Sequence, residues 1–336
     1  MAARARRNLR YMQALIDTTF AAVETASLDL APRRFGRVVA CDGGLIEVSG
    51  LGVPIGSICT IAQGASTEHR AETIGFRNGH TMMMMMGDTV LLRPGAIVRP
   101  EGRPGMLSVG TEYLGRAVDG SGEPIDGGGP VMATSSWPAG GYRVGALDRS
   151  RVTQVFDSGI RSLNALTTFG VGQRIGIMAG SGVGKSTLLG MMTRHTVADV
   201  VVLAMIGERG REAGEFLAES LGPEGRSKAV VILATSDCAS VMRRQAAEVA
   251  HLVAEYFRDL GKDVLLLCDR LTRIAHAQRE IGLATGEPPT NKGYPPSVFS
   301  DLPKLIERGG PGDDQGTITS VYTVLSEHEE GMDPIV

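Results

Sequence analysis

The stretch "RIGIMAGSGVGKST", residues 174 to 187, decides the fold. Arg174 to Ala179 is a short, mostly apolar run of strand type, and three glycines at alternate positions, Gly180, Gly182 and Gly184, follow it. That spacing lets a backbone curl until several N–H groups point at one anion, at the start of a helix whose dipole also favours negative charge. With Ser181 and Val183 between the glycines and Lys185-Ser186-Thr187 opening the helix, the stretch reads as a phosphate-binding loop. Lys185 is then placed for the β and γ phosphates of a nucleotide and Ser186 for a magnesium ion. Ala179 stands where the strict pattern begins with glycine, which is the one departure.

Downstream, strands of nearly continuous apolar residues alternate with helical segments. "VVVLAMI" (200 to 206), a helix near 211 to 221, "AVVILA" (229 to 234), a long helix across 240 to 260, "VLLLCD" (264 to 269) and "TITSVYTVL" (317 to 325) follow in turn. This alternation predicts an α/β domain with a parallel sheet covered on both faces. Asp269, at the end of an apolar strand, is then placed at the ligand crevice, where it can join Ser186 around magnesium. The run 200 to 206 is expected beside the phosphate-loop strand, so that Glu208 opens on the same sheet edge. There it can orient a water and take its proton. Arg209 can contact the γ phosphate or brace Glu208, and Glu212, one helical turn on, can hold a magnesium-bound water.

Before this domain the pattern is different. "MAARARRNLR" carries four arginines and no acid, and Leu9, Met12, Leu15, Ile16, Phe20 and Val23 follow near-helical spacing, which predicts a basic amphipathic helix. Short β-type runs then meet at Asp42-Gly43-Gly44 and Asn78-Gly79, both hairpin signals, and predict a small antiparallel barrel. The run Met82 to Met86 is expected to serve strand packing, because an unbranched thioether fills irregular space. A Gly/Pro-rich connector, "GRAVDGSGEPIDGGGPV", leads on. The domains are thus expected as helix 1–28, barrel 29–98, and connector with nucleotide-binding domain 99–336. With 21% charged residues and a net charge of -3, the chain has no basic field to attract nucleic acid. Its four scattered cysteines and lack of a long apolar run point to the cytoplasm.

"AGSGVGKST", "LAMIGERGREAGEF", "AEYFRDLGKDVLLLCDRLTRIAHAQREIGLATGEPP" and "GYPPSVFSDLPKLIERGG" together resemble the ATPase of the bacterial flagellar protein-export apparatus, and nearly as closely its injectisome counterpart. The family is related to the catalytic subunit of rotary ATP synthases. The resemblance implies a RecA-like P-loop core and ATP with Mg2+ as cofactors. It implies Lys185 and Ser186 on phosphate and metal, Glu208 as catalytic carboxylate, Arg209 near the γ phosphate and Asp269 on the metal. Arg273 falls where the family has an arginine at the subunit boundary, and Tyr294 where it has an aromatic near the site. A homohexamer around a central stalk is implied, working at the inner-membrane export gate on chaperone–substrate complexes. The basic helix becomes the expected dock for a stator protein, with acidic lipid as second choice. The family continues beyond "DPI" into a helical domain carrying the adenine-side pocket and an arginine presented to the neighbouring subunit. Residues 1 to 336 without it are expected to hydrolyse ATP poorly.

Two other readings compete. A ring-shaped RNA helicase needs a basic groove with stacking aromatics, whereas only Phe35 and Phe76 lie between Arg34 and Pro100. A non-catalytic nucleotide-binding subunit of a rotary-type ring lacks the catalytic carboxylate, and Glu208 speaks against it.

Overall fold

The computed structural model describes residues 34–63, 67–87, 92–102, 105–142, 144–145, 147–180, 182–312, 316–326 and 333–336. The segment 1–28, with its expected basic helix, lies outside the described residues, as does Ser181.

Six strands, β1 (Gly36–Asp42), β2 (Leu45–Ser49), β3 (Ile58–Gln63), β4 (Thr67–Arg77), β5 (His80–Met85) and β6 (Ile97–Pro100), close into an antiparallel barrel in the order β1-β2-β5-β4-β3-β6. Both expected hairpins form. Gly43 and Gly44 have φ of 55° and 90°, and Asn78 and Gly79 have 50° and 78°. Positive φ at both central residues matches the right-handed twist of the strands such a two-residue turn joins. The methionine run divides by the strand's period of two. Met83 and Met85 fill the barrel with Val38, Ile46 and Ile61, while Met84 and Met86 face outward onto Val241, Met242 and Ile281 of the next domain. Glu72 on β4, only 3% exposed, adds a charge to that seam by pairing with Arg244, which also holds Glu248.

The connector contributes a small hairpin of β7 (Met106–Val109) with β9 (Ser135–Pro138), and β8 (Ala117–Val118), which joins the main sheet. The remaining strands are β10 (Arg174–Ala179), β11 (Val200–Ile206), β12 (Ala229–Ala234), β13 (Asp263–Asp269), β14 (Gly310–Pro311) and β15 (Thr317–Leu325). The sheet runs β10-β15-β13-β11-β12-β8, parallel throughout, with β14 antiparallel on β15. Among the described residues seven α-helices flank it: α1 (Arg161–Leu166), α2 (Lys185–His195), α3 (Gly210–Glu215), α4 (Gly222–Ser227), α5 (Ser240–Asp259), α6 (Leu271–Thr285) and α7 (Pro296–Ile306). A π-helical turn, Phe216–Leu221, links α3 to α4.

Strand alternation sorts the apolar runs into two cores. Val200, Val202, Ala204 and Ile206 face α5 with Ala250, Val253 and Phe257, whereas Val201, Leu203 and Met205 face Leu189 and Met192 of α2 and Phe216. That is why the run lacks any polar position: both of its faces are covered.

One expectation is corrected. β11 does not neighbour β10, because β15 and β13 lie between them. A helical crossover can pass over two strands as readily as one, so strand order along the chain leaves lateral order open. On β15, which lies inside the sheet, two polar side chains are bonded: Thr319 Oγ1 accepts from the Gly172 N–H at 2.9 Å, and the Thr323 hydroxyl donates to Asp269.

Deep on the α5 side, Arg308 forms a two-pronged pair with Glu255 at 2.7 and 3.0 Å and donates to the Ala139 carbonyl at 3.2 Å. Glu255 is 1% exposed. Removing one partner of such a pair leaves an uncompensated buried charge. Arg308→Met should therefore lower unfolding free energy by about 3–5 kcal/mol, read from urea titration, and adding Glu255→Leu should restore most of the loss.

Candidate active site

β10 ends at Ala179 and α2 begins at Lys185, so the glycine loop occupies the carboxyl edge of the sheet. Gly182 and Gly184 have φ of 78° and 89°, values open to glycine and strained for other residues. A Cβ at either would meet nothing within 4 Å, so glycine is required by conformation and the space above the loop is clear. No side chain caps the start of α2. The first-turn N–H groups of a helix lack intrahelical acceptors, and an incoming phosphate satisfies them. Ser186, Thr187 and Val183 are exposed around this opening.

The Lys185 ammonium does not reach outward. Its Nζ lies 2.7 Å from Asp269 Oδ1 at the end of β13, with the two side chains 10% and 3% exposed. Next in line is Arg270, whose Nε lies 4.0 Å from the same oxygen and 2.6 Å from Glu208 Oε1. Its Nη2 donates to Glu208 Oε2 at 3.1 Å. Lys185, Asp269, Arg270 and Glu208 therefore form one line of alternating charge, crossing from the phosphate loop to the end of β11. The two strands between β10 and β11 do not separate the site, since β13 supplies its middle.

Glu208 is held by its backbone as well. Gly207 donates its N–H to the Ala234 carbonyl at 2.7 Å, and the Glu208 carbonyl accepts from Ser236 at 2.9 Å. Gly207 has φ of 73°, and a Cβ there would stand 2.8 Å from Arg273 Cγ, so the alkyl part of Arg273 lies flush on this turn. Burial pushes the Glu208 carboxyl above the usual range, and Asp269 and a hydrogen bond with Glu212 act in the same direction; Arg270 and Lys185 oppose them. The result is a carboxylate that is a stronger base than a surface glutamate.

Not every expected residue lies here. Arg209 stands just before α3 with extended backbone, its side chain is 82% exposed, and it turns to Glu212 at 3.5 Å; it does not brace Glu208. Arg270 does. Tyr294 is 1% exposed and packed in the core, with its hydroxyl donating to Asp333 at 3.0 Å and Arg279 over its ring. It serves packing because the turn preceding α7 buries its ring. The signal for Arg270 was its place directly after Asp269, where a strand of known edge position must deliver the next side chain. A cavity of about 890 Å³ between the barrel and the α5–α7 side includes none of these residues, so volume alone would point away from the chemistry.

Magnesium fits the donor set. Ser186 and Asp269 offer hard oxygens, and Mg2+ commonly keeps several waters and leans on one or two carboxylates plus substrate phosphates. Among the described residues no cluster of three or more His, Cys, Asp or Glu side chains is placed to hold a metal ion by itself.

A glycine loop on one strand end, an acid on a second and a buried carboxylate on a third define a P-loop ATPase. Residues 159–336 match the model of the ATP synthase alpha/beta family, nucleotide-binding domain. The chain is 47% identical over 316 residues to the flagellum-specific ATP synthase of Pseudomonas aeruginosa, covering 93% of this chain and 70% of that protein. It is 45% identical over 322 residues to the type 3 secretion system ATPase of Xanthomonas euvesicatoria, with coverage of 96% and 72%. Among solved structures, the assembled ATPase EscN of the enteropathogenic E. coli type III secretion system aligns with a TM-score of 0.82 at 41% identity, over 89% of this chain and 72% of that one. EscN in complex with its central stalk EscO aligns with a TM-score of 0.80 at 41% identity, over 87% and 71%. The chain belongs to the family of flagellum-specific ATP synthases and type III secretion ATPases, and is an ATPase.

If Glu208 works as the base, it must be ionised. Its raised pKa then places the acid limb of kcat/KM above the ordinary glutamate value of about 4.3. Because the Arg270 charge opposes that rise, Arg270→Gln should move the limb to still higher pH in a profile of initial rates.

Proposed function

We propose that this ATPase drives or primes the export of flagellar proteins through a type III secretion apparatus. The observation that carries the reading is the unbroken line from the Lys185 ammonium to the Glu208 carboxylate beside a phosphate loop. Backbone N–H groups of residues 180 to 187 cradle the phosphates, and Lys185 exchanges Asp269 for phosphate oxygens. Glu208 orients a water and takes its proton as the water oxygen bonds to the terminal phosphorus and the bond to the bridging oxygen breaks. Ser186 and Asp269, with Glu212 through a water, would hold magnesium, which neutralises charge on the phosphates when bound. Arg273, flush against Gly207, is assigned to the subunit boundary.

The same reading divides the chain into helix 1–28, barrel 29–98 and nucleotide-binding domain 99–336, and assembles six copies into a ring around a central stalk. EscN, an assembled ATPase solved with a central stalk, supports that arrangement. Chaperone–substrate complexes are the cargo, met on the cytoplasmic side of the inner-membrane export gate. Among the described residues no helix is long and apolar enough to cross a membrane. The basic segment 1–28 is assigned to a stator protein.

Glu208→Gln should lower single-turnover hydrolysis by about 100- to 10,000-fold while nucleotide binding survives, whereas Lys185→Ala should lose binding itself. Equal loss of both functions in the two variants would reject the division of roles. Removing residues 1 to 28 should abolish capture of the stator and leave ATP affinity alone; an unchanged pull-down rejects the docking assignment.

A further inference from the structure

The contact between Glu208 and Arg270 is close but poorly made. Arg270 Nε and Glu208 Oε1 stand 2.6 Å apart, yet both atoms are buried and neither has an aligned hydrogen-bond partner. Only Nη2 to Oε2, at 3.1 Å, is a hydrogen bond. A buried polar atom left in this condition costs free energy, and a charged one costs more. Arg270 Nε is itself buried, although the side chain is 17% exposed, so this N–H does not recover the loss from bulk water.

An acceptor that would satisfy it belongs on the other side of the same residue. Arg270 Nε is 4.0 Å from Asp269 Oδ1, and that oxygen holds Lys185, the residue read above as meeting the β and γ phosphates. A guanidinium fork matches the spacing of phosphate oxygens and pairs with them through two parallel bonds. Arg270 is thus one contact from the base and two from the phosphate-binding ammonium.

We propose that Arg270 is a positioning residue with two partners: it holds Glu208 while no terminal phosphate is present, and passes to the terminal phosphate of ATP when one arrives, releasing Glu208 to the attacking water. The proposal rests on the loop as the ATP site and on Glu208 as the base. It makes the base available only when there is a phosphate to hydrolyse. ADP, which lacks that group, leaves Arg270 on Glu208.

The test is binding, which a purely structural role would not divide between the two nucleotides. Dissociation constants for ADP and for a non-hydrolysable imido analogue of ATP are measured by calorimetry on the full chain, its Glu208→Gln and Arg270→Gln variants and the double variant. Arg270→Gln should weaken the analogue about tenfold, the scale of one hydrogen bond to a charged group, with ADP unchanged. Glu208→Gln, which loosens the hold on Arg270, should tighten the analogue several-fold, and that gain should vanish in the double variant. Arg270→Lys keeps the charge without the fork; it should lose most of the discrimination with thermal unfolding unchanged, which guards against a folding defect in the glutamine variant. Equal weakening of ADP and analogue in both Arg270 variants, or a Glu208→Gln gain that persists in the double variant, overturns the switch alone. If the parent chain binds neither nucleotide, the ATP-site reading falls and takes the switch with it.

Discussion

Buried charges must be paired, and at the carboxyl edge of this sheet the pairing runs in series. Lys185 is held by Asp269, and Glu208 by Arg270, which stands between the two acids. An isolated charge in such a place costs several kcal/mol, so no member of the line is independent of its neighbours. The arrangement joins three loops that are far apart in sequence into one electrostatic unit. It also sets the character of Glu208, whose carboxyl is pushed up by burial and by Asp269 against the opposing pull of Arg270 and Lys185.

The rest of the fold keeps this edge rigid. β11, β12 and β13 carry apolar residues on both faces, alternate ones entering the cores on opposite sides of the sheet. Their ends are therefore fixed from above and below. On one side α5 is buried along most of its length against the sheet, and its first turn meets the outward-facing methionines of the barrel. Flexible thioethers suit that seam, where a strand crosses helices and regular interdigitation fails. The Glu72–Arg244–Glu248 cluster then fixes direction where apolar contact alone is tolerant of sliding.

What was legible in the sequence was local. Glycine positions tied to one turn type gave the hairpins at 43–44 and 78–79 and the loop at 180–184, because φ > 0 is a property of single residues. Two-faced apolar runs gave the parallel sheet. Glu208 and Asp269 were legible because a charge at the end of such a run, or one glycine beyond it, has to emerge at the sheet edge. Arg209 and Tyr294 show where this reasoning fails. The first shares the edge with Glu208 but points outward from a helix start; the second follows a turn that carries its ring inward. Side-chain direction at a loop depends on backbone angles that neighbouring residue types do not dictate.

The sequence by itself determined the class of domain, the phosphate loop and the two acids, since each rests on backbone conformation or on burial along one continuous segment. Only the tertiary structure decided the lateral order of the strands and, with it, the partner of Glu208. β15 and β13 come between β10 and β11, and Arg270 reaches Glu208 from the end of β13 across 62 positions of chain. Such a pairing depends on which crossover passes over which strand, and free energy of that kind is settled by packing the whole sheet at once.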